Sequence, residues 1–399
     1  MKRIAFYYNH YNTLGHSTRV FCLVKAIKEH CKGKTDIIVF QGGKLQDLLP
    51  FKKYAKVYLL PYSIDKKGLF IEEAVKIYDK MISHGGMEHM LQKRVLLING
   101  VLNDFKPNLF ITEYFPFGQE FWTFELPYVL RHIKNNFNCR IVASCGYLTW
   151  VKNTYEYIKE FYDALLIHSP KFFSTGYKSY FHKEASAGLD KIIKDFSKKI
   201  FFTGFILDDV KIASRKNIKD LFKIPPNKKI VLVSRGGGIV NKKIIVSSIL
   251  AAKRNKNIFF IICCGPATSQ KEFKAYKEMS KHMDNLILVR FLYPEHFNAL
   301  LDISDLSVNM AGYNTTVKLL HAGKRTILIP YYTSEQRWRA ESASRYLPAR
   351  IINGNKLNIP FLEKNMFELL DGEDMLNNRM EKDCFLGASK TINILKCLA

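Results

Sequence analysis

The chain has 399 residues, of which 47% are hydrophobic and 24% are charged. This length gives room for two domains of ordinary size, and the composition excludes an intrinsically disordered chain. The formal net charge of +25 favours anionic partners such as nucleotide diphosphates, acidic phospholipid surfaces or nucleic acid, without choosing among them.

Strands and helices are predicted to alternate through the first half of the chain. Strands are predicted at 4–8, 36–40, 56–60, 108–112, 140–144, 164–167 and 199–203, and helices after residue 16 and over 71–104, 119–133 and 154–162. Buried strands followed by helices are typical of a parallel sheet, which binds ligands at the carboxyl ends of its strands. Residues 207–229 are rich in lysine and aspartate, end near a Pro-Pro-Asn turn and are predicted to be an interdomain linker.

A second alternating series follows the linker. Strands are predicted at 230–234, 258–264, 286–291, 305–309 and 326–329, and helices at 242–254, 270–282, from 313, from 335 and over 365–398. The whole pattern predicts an α/β fold with two Rossmann-like domains, residues 1–206 and 207–399, that face a central cleft.

Cysteine spacing and hydropathy indicate the cellular compartment in which the protein is expected. The eight cysteines include no C-x-x-C pair and several lie in apolar runs, so they are predicted to be buried free thiols of a reducing compartment. The first ten residues have a basic start but no apolar core typical of a signal peptide, and no stretch reaches membrane-spanning length. The sequence therefore predicts a cytoplasmic protein, with peripheral binding to the inner face of a membrane as an option.

The segment 307–340 carries the most specific pattern. A short strand ends at a turn containing Gly312, and a helix then begins with Tyr313, Asn314, Thr315 and Thr316. The first amides of a helix lack intrahelical acceptors and lie at the positive end of its dipole, so they can hold a diphosphate that the glycine allows to approach. The alternative is an ordinary strand-turn-helix unit whose glycine only serves packing.

Further candidates for ligand binding follow other strands of the second series. Glu335 and Gln336 open a helix, where a carboxylate beside an amide suits sugar hydroxyls. A turn of arginine and glycines can form a phosphate-facing concavity with added positive charge, or it is only a flexible turn; its candidates are Arg235, Gly236 and Gly237, with Gly265 after the next strand. Lys318, Arg337 and Arg339 can supply positive charge to a leaving diphosphate, or they are solvated charges of a helix face.

Candidate acid–base residues lie in the first domain. His16 follows Gly15 at the end of the first strand and loop, and an imidazole can take a proton from an attacking hydroxyl; the alternative is a helix-capping histidine. Glu113 ends a buried strand and could orient His16 or act as the base, or it is a solvated strand end. Glu125, on the helix that follows, is more typical of a surface charge.

Two sequence elements resemble a known family. G-Y-N-T-T at 312–316 and E-Q-R-W-R-A at 335–340 resemble the C-terminal half of MurG-like glycosyltransferases, and more closely a group of predicted glycosyltransferases with a glycosyltransferase family 28 type C-terminal domain. The resemblance implies the GT-B fold, with a C-terminal helix crossing back to the first domain. It also implies that the first element binds the diphosphate and ribose of a nucleotide sugar and that the second binds the transferred sugar.

The resemblance assigns roles to other residues as well. It implies that Phe291 and Leu292 lie against a uracil ring, and that a G-H pair and an acidic residue before an F-P-x-G turn serve catalysis. On the acceptor side it makes Gly15, Arg19 and Phe117 candidates. One departure is Lys318, which stands where the family usually has a ribose-binding glutamate.

These observations predict a glycosyltransferase that moves a hexose-type sugar from a UDP-linked donor to the hydroxyl of an acceptor that the sequence does not identify. His16 or Glu113 would deprotonate the acceptor, while the helix start after Gly312, its threonines and Arg235 would stabilise the departing diphosphate. No cofactor and no metal are expected, because no D-x-D segment ends a strand and no histidine or cysteine pair has metal-ligand spacing. Two alternatives are a non-hydrolysing nucleotide-sugar epimerase and a basic protein that binds nucleic acid or a membrane surface.

Overall fold

The computed structural model describes residues 3–10, 15–32, 34–43, 48–61, 86–118, 125–151, 153–175, 183–207, 215–238, 240–331, 334–372 and 379–398. Its contacts divide the chain into two compact units. Unit 1 consists of Met1–Leu207 and Asp383–Ala399, and unit 2 consists of Asp208–Lys382. The sequence-based division placed all of 207–399 in the second domain, whereas the last segment of that range packs with unit 1.

In the described part of the chain, unit 1 contains a seven-stranded sheet. Its strands are β1 (Arg3–His10), β2 (Asp36–Gly43), β3 (Lys56–Leu59), β4 (Leu109–Glu113), β5 (Arg140–Cys145), β6 (Ala164–Ile167) and β7 (Ile200–Phe202). The helices that accompany them are α1 (Gly15–His30), α2 (Gly86–Phe105), α3 (Leu126–Asn136), α4 (Thr154–Phe161), α5 (Lys171–Thr175) and α6 (Lys183–Asp195). The strand order is β3-β2-β1-β4-β5-β6-β7, and neighbouring strands run parallel.

Both faces of this sheet are covered, which explains why its strands are continuous apolar runs. Along β1, Phe6 and Tyr8 join one core cluster, which includes residues of α1, while Ala5 and Tyr7 join the cluster on the opposite face. Successive side chains of a strand point to opposite faces, so a fully buried strand needs apolar residues at every position. The order reverses between β1 and β4, and parallel sheets bind ligands at the carboxyl ends of strands beside such a switch point.

Among the described residues of unit 2, a six-stranded sheet has the order β10-β9-β8-β11-β12-β13, with parallel neighbours. Its strands are β8 (Lys229–Ser234), β9 (Ile258–Cys263), β10 (Leu286–Val289), β11 (Leu306–Asn309), β12 (Thr326–Leu328) and β13 (Ala349–Ile351). Its helices are α7 (Arg215–Leu221), α8 (Lys242–Arg254), α9 (Gln270–Met279), α10 (Pro294–Ile303), α11 (Tyr313–Ala322), α12 (Ser334–Ala343) and α13 (Ile359–Asp371). The switch point of this sheet lies between β8 and β11.

The predicted alternation of strands and helices agrees with both sheets, but several elements differ. Helices α5 and α6 were not predicted, and the helical stretch predicted over 365–398 is interrupted, since α13 ends at Asp371. Helix α10 and strand β13 were not predicted, because a helix opened by Tyr-Pro and a half-exposed strand of three residues have weak local patterns. Helix α7 lies inside the predicted linker, where alternating charges conceal its periodicity. The predicted helices 71–104 and 119–133 begin at residues outside the described ranges.

Helix α14 (Gly387–Leu398) ends the described chain and packs on α1 of unit 1, as the family resemblance implied. The start of α14 lies close to the backbone of residues 204–205, and Gly387 makes this close contact possible. A Cβ on Gly387 would lie 2.4 Å from the carbonyl oxygen of Gly204 and 2.6 Å from that of Phe205, and the Gly387 amide donates to this second oxygen. The backbones therefore meet at a distance that excludes any side chain at this position.

We expect Gly387→Ala to lower the free energy of unfolding by about 1–3 kcal/mol, because the added methyl forces the start of α14 away from 204–205. Urea denaturation measures this change. The matched control is Gly100→Ala within α2, where a Cβ meets nothing within 4 Å. This variant should be stabilised by roughly 0.5–1 kcal/mol through its higher helix propensity. Equal stability of Gly387→Ala and wild type would contradict the close packing.

Candidate active site

The carboxyl ends of four neighbouring strands in unit 1 carry a row of polar side chains. Glu113 is the last residue of β4, Ser144 lies near the end of β5, and His168 and Thr203 directly follow β6 and β7. Glu113 pairs in register with Ser144, and the amides of His168 and Thr203 continue the ladder by bonding Cys145 and Ile167. The parallel register thus brings the four side chains together on the face that α1 covers.

Helix α1 adds His16 and Arg19 to Glu113. His16 Nδ1 lies 3.0 Å from Glu113 Oε1, and Arg19 donates to the same oxygen from Nε at 2.9 Å and from Nη2. The Arg19 and Glu113 side chains are buried, whereas the His16 side chain keeps 23% of its surface exposed. The structure therefore brings together the two candidate catalytic residues and leaves only the histidine accessible.

The electrostatics of the pair assign different roles to its members. Burial tends to raise the pKa of Glu113, but the Arg19 charge and the hydrogen bond from His16 outweigh it and lower this pKa to about 2. An ionised carboxylate only accepts hydrogen bonds, so Nδ1 of a neutral His16 carries its hydrogen and Nε2 is the accepting nitrogen. Of the two bases that the sequence allowed, this geometry favours His16, with Glu113 orienting it.

Beyond Glu113, the polar row continues to the sheet edge. Ser144 Oγ lies 2.8 Å from Glu113 Oε2 and 3.0 Å from His168 Nε2, and His168 Nδ1 lies 2.9 Å from Thr203 Oγ1. His168 is fully buried, and this burial, with the Arg19 charge, lowers its pKa to about 3. The imidazole of His168 is therefore neutral at physiological pH.

A second polar network lies on the opposite face of the same sheet. Tyr7 donates to Glu125 Oε1 at 2.6 Å, and Arg94 bonds Glu125, Tyr7 and Asn9. Glu125 is fully buried, so its interpretation as a surface charge is wrong. Burial and the Glu125 carboxylate raise the pKa of Tyr7, which stays a neutral donor. A Cβ on Gly42 would lie 1.7 Å from Asn9 Oδ1, so this network also requires the glycine.

The structure changes the interpretation of the acceptor-side candidates. Phe117 is completely buried in the core cluster of unit 1 and cannot touch an acceptor. Arg19 is buried against Glu113, so its charge serves the carboxylate rather than a ligand. Gly15 opens α1, and a Cβ there would meet nothing within 4 Å. Tyr114 was not a candidate, yet its ring centroid lies 4.9 Å from that of His16.

In unit 2, the turn between β11 and α11 is held from both sides. Ala311 has the unusual φ of 54°, its amide donates to Asn309 Oδ1 at 3.0 Å, and its carbonyl accepts from Arg339 Nη1 at 2.6 Å. Gly312 is the N-cap of α11 with an ordinary φ of −66°, it has no side chain that could cap the helix, and a Cβ at Gly312 would meet nothing within 4 Å. There is therefore open space beside Gly312 at the start of the helix, and the binding of a diphosphate there stays a prediction.

Helix α12 contacts the turn between β11 and α11 through Arg339. Arg339 of α12 is buried and, besides holding Ala311, donates to Glu335 Oε1. Gln336 accepts from the Tyr331 amide at 2.8 Å, which ties α12 to the end of β12. Glu335 and Gln336 thus reach the same strand edge as Gly312, with Arg339 as the link between them. Arg339 serves as a clamp of the turn rather than as a solvated charge.

The turn after β8 contradicts the prediction that Arg235 supplies positive charge to a phosphate. The Arg235 side chain points into unit 2, where it donates to Val240 O at 2.7 Å and to Glu272 Oε1 at 2.6 Å, so it does not supply its charge to a ligand. Gly236 is exposed, and a Cβ there would meet nothing within 4 Å. A Cβ on Gly265 would lie 2.4 Å from Gly238 Cα, so Gly265 serves the packing of two loops.

The remaining donor candidates lie at the same edge of the second sheet or on α11. Leu292 is buried and Phe291 is half-buried, with its ring centroid 5.5 Å from that of Tyr293. Lys318 places Nζ 5.4 Å from the ring centroid of Phe297 on α10. In the first turns of α11, Tyr313, Asn314 and Thr315 are half-buried, and Gly237 is half-buried in its loop.

Thr316 is buried at the start of α11, and its Oγ1 has no hydrogen-bond partner among the described residues. A buried hydroxyl without a partner is costly, so this atom is suited to a polar ligand group or a water molecule.

Sequence reasoning missed Ser144, His168 and the Arg94 network. A usable signal existed for the first two: each is a polar residue at the end of an otherwise apolar strand, in R-I-V-A-S-C and A-L-L-I-H-S. No comparable signal marks Arg94, which lies in a helix with many exposed positions.

Two searches of the described residues concern metals and membranes. No group of three or more histidine, cysteine, aspartate or glutamate residues there could hold a metal ion, and a metal-independent reaction stays a prediction. No helix in the described ranges combines the length and the apolar character needed to cross a bilayer.

Residues 230–393 match the family model of the glycosyltransferase family 28 C-terminal domain. This part of the chain is a glycosyltransferase family 28 C-terminal domain. The matched segment includes the Gly312 turn, α11 and the start of α12, whose geometry is described above. No curated protein sequence matches the chain.

Solved structures similar to the chain carry the GT-B fold. CalG4, the calicheamicin glycosyltransferase, has a TM-score of 0.65 at 13% identity, covering 100% of this chain and 98% of that chain. A UDP-GlcNAc 2-epimerase from Neisseria meningitidis, bound to UDP-GlcNAc, has a TM-score of 0.63 at 15% identity, with both chains covered completely. MurG of Acinetobacter baumannii has a TM-score of 0.55 at 11% identity, again with complete coverage. The predicted GT-B fold is confirmed, and with the family 28 domain it supports a GT-B glycosyltransferase.

The buried His168 and Glu113 predict a loss of stability on acidification. The pKa of His168 falls from 6.5 to about 3 on folding, and that of Glu113 falls from 4.5 to about 2. As the pH falls, both groups therefore bind protons in the unfolded chain before they do so in the folded chain, which lowers the free energy of unfolding. Between about pH 5.5 and pH 4, His168 alone should remove about 1.4 kcal/mol of unfolding free energy per pH unit. Urea denaturation across this range should show a shallower pH dependence for His168→Gln, and equal slopes would contradict a neutral His168.

Proposed function

We propose that this protein is a glycosyltransferase that moves a sugar from a UDP-sugar to an acceptor hydroxyl, with the family 28 domain binding the donor and unit 1 preparing the acceptor. The observation that carries the proposal is the start of α11 at Gly312, where the N-cap residue has no side chain and a Cβ would meet nothing within 4 Å. Amides at a helix start attract anions, and a diphosphate is the anionic part of such a donor. The UDP-GlcNAc bound by the Neisseria meningitidis epimerase supports this choice of donor.

The turn before α11 is suited to this role because it is fixed before any ligand arrives. Asn309 and Arg339 hold the amide and the carbonyl of Ala311, which keeps the strained residue and the following Gly312 in place. Preorganised amides stabilise developing charge without reorganisation during the reaction. The charge that develops on a diphosphate leaving group would be stabilised in this way.

Unit 1 supplies the general base of the proposal. His16 Nε2 is the accepting nitrogen of a partly exposed imidazole, and Glu113 holds the ring through Nδ1. As the acceptor oxygen attacks the anomeric carbon, its proton passes to Nε2 while the bond between that carbon and the diphosphate oxygen breaks. The resulting imidazolium is stabilised by the ionised Glu113, as in other histidine–carboxylate pairs.

The first experiment is isothermal titration with UDP, UDP-sugars and GDP-sugars. UDP and at least one UDP-sugar should bind, and a protein that binds no nucleotide diphosphate would not be a glycosyltransferase of this kind. Transfer is then tested by mass spectrometry, with each bound UDP-sugar offered to a panel of lipid-linked, glycan, small-molecule and nucleic-acid acceptors.

Gly312→Ser tests the helix start directly. Serine is a favourable N-cap, and its side chain would occupy the amides that the diphosphate needs, without a clash in the free protein. The free energy of unfolding should change by only a few tenths of a kcal/mol, while the Kd for UDP should rise by about tenfold or more. Gly100→Ala, on α2 of unit 1, should leave this Kd unchanged. Equal UDP affinity of Gly312→Ser and wild type would remove the helix start from the donor site.

His16→Gln tests the base. The rate of sugar transfer should fall by about 10²–10⁴-fold, because the proton acceptor is lost. The Kd for UDP should not change, because the donor is proposed to bind unit 2. The matched control is His132→Gln, on the exposed surface of α3, which should transfer sugar at the wild-type rate. Wild-type transfer by His16→Gln would exclude His16 as the base.

The epimerase alternative is tested by the protein and donor alone. Proton NMR of UDP-GlcNAc with the protein, without acceptor, should show no new nucleotide sugar if the protein is a transferase. Formation of a second sugar attached to UDP would instead support the activity named for the Neisseria meningitidis neighbour.

A further inference from the structure

The hydrogen bonds to the two oxygens of Glu113 differ in kind. Oε1 faces His16 and Arg19, which both come from α1. Oε2 accepts from Ser144 at 2.8 Å, and Ser144 is the one donor to this oxygen within the described ranges. At Oε2, therefore, Ser144 is the one side chain in the described ranges whose hydrogen bond resists rotation of the Glu113 carboxylate about the Cγ–Cδ bond.

Ser144 has one hydroxyl hydrogen and two neighbours that can accept it, Glu113 Oε2 and His168 Nε2 at 3.0 Å. The hydrogen serves the carboxylate only if His168 presents an N–H at Nε2 and donates to Ser144 Oγ. A neutral imidazole then has Nδ1 as its acceptor, and Thr203 Oγ1, 2.9 Å away, can supply the hydrogen. Every group in this chain of bonds is satisfied.

The opposite arrangement leaves the carboxylate short of a donor. If His168 carried its hydrogen on Nδ1, it would donate to Thr203, whose hydroxyl could turn to the Gly204 carbonyl at 3.1 Å. Ser144 would then donate to His168 Nε2, and Glu113 Oε2 would remain buried without its hydrogen bond. Burial of an ionised carboxylate is tolerated only when its lone pairs are satisfied, so the first arrangement is favoured.

We infer that Ser144 and His168 are positioning residues, which lock the Glu113 carboxylate so that Oε1 stays aligned with His16 Nδ1 and His16 Nε2 stays the proton-accepting nitrogen. Because it concerns the preparation of the same base, this inference rests on the proposed function. The sheet itself explains the arrangement, since Glu113, Ser144, His168 and Thr203 come from β4 to β7 in their order across the sheet. The hydrogen-bonded strands thus fix Glu113 and its partners Ser144 and His168, and α1 supplies His16, which contacts Glu113.

The test is the tautomeric state of the histidine rings, measured by nitrogen-15 NMR of the intact protein. The chain has eleven histidines, and the signals of two are assigned with His16→Gln and His168→Gln. In the wild type we expect His16 as the Nδ1–H tautomer and His168 as the Nε2–H tautomer. A wild-type His168 with its hydrogen on Nδ1 would overturn the inference, and this measurement needs no variant that could fail to fold.

Ser144→Ala and Ser144→Thr form the matched pair of variants. Alanine removes the donor to Oε2, so His16 should shift from pure Nδ1–H to a mixture of both tautomers, whereas threonine keeps a hydroxyl and should restore the wild-type signal. If the His16 tautomer of Ser144→Ala is identical to that of the wild type, Ser144 has no positioning role. His168→Gln, whose side-chain amide can still donate to Ser144, should retain Nδ1–H at His16, and His168→Phe should not.

Activity separates this inference from the proposed function. If the protein transfers sugar from a UDP-sugar, Ser144→Ala should lower kcat by about tenfold while the Kd for UDP is unchanged. Wild-type kcat in this variant would overturn the inference and leave the transferase intact. If no nucleotide binds but the tautomers are as expected, the sugar transfer is excluded and the positioning of His16 stands.

Discussion

The ion pair of Glu113 and Arg19 is the constraint on which the polar edge of unit 1 depends. Both side chains are buried, and neither charge could remain there without the other, because an isolated charge in a protein interior is strongly destabilising. The pair ties α1 to β4, and the Ser144 bond ties β4 to β5. The position of His16 is therefore decided by contacts that the folded unit must make in any case.

The two units share one structural feature at the switch points of their sheets. Apolar strands end in residues with polar side chains, and these side chains hold the turn or helix that follows. In unit 1, Glu113 holds His16; in unit 2, Asn309 holds Ala311, with Arg339 on the other side. What is held differs in chemistry, since unit 1 presents an imidazole and unit 2 presents backbone amides at a helix start. A base and an anion site are two parts that the proposed sugar transfer needs.

The Arg94 network has a structural role on the other face of the unit 1 sheet. It joins Tyr7 and Asn9 of β1 to Glu125 at the start of α3, and its arginine also bonds the Pro61 carbonyl. The end of β1 is thus fixed on one face by this network, and the end of β4 is fixed on the other by Glu113. This double support keeps the strand ends rigid where apolar packing stops, which is the requirement for a site that must hold a precise geometry.

The sequence alone determined the alternation of strands and helices and the helix start after Gly312, and its family resemblance implied the GT-B fold. For Glu113 it left open whether the carboxylate orients His16, acts as the base or is a solvated strand end, and the structure showed the contact with His16. The alternation and the helix start have local causes, namely apolar runs and a glycine turn. Only the tertiary structure decided that Glu125 and Phe117 are buried, that Arg235 turns inward, and that Ser144 and His168 continue the row from Glu113. The direction and burial of a side chain depend on partners far away in the chain, and a local pattern does not contain them.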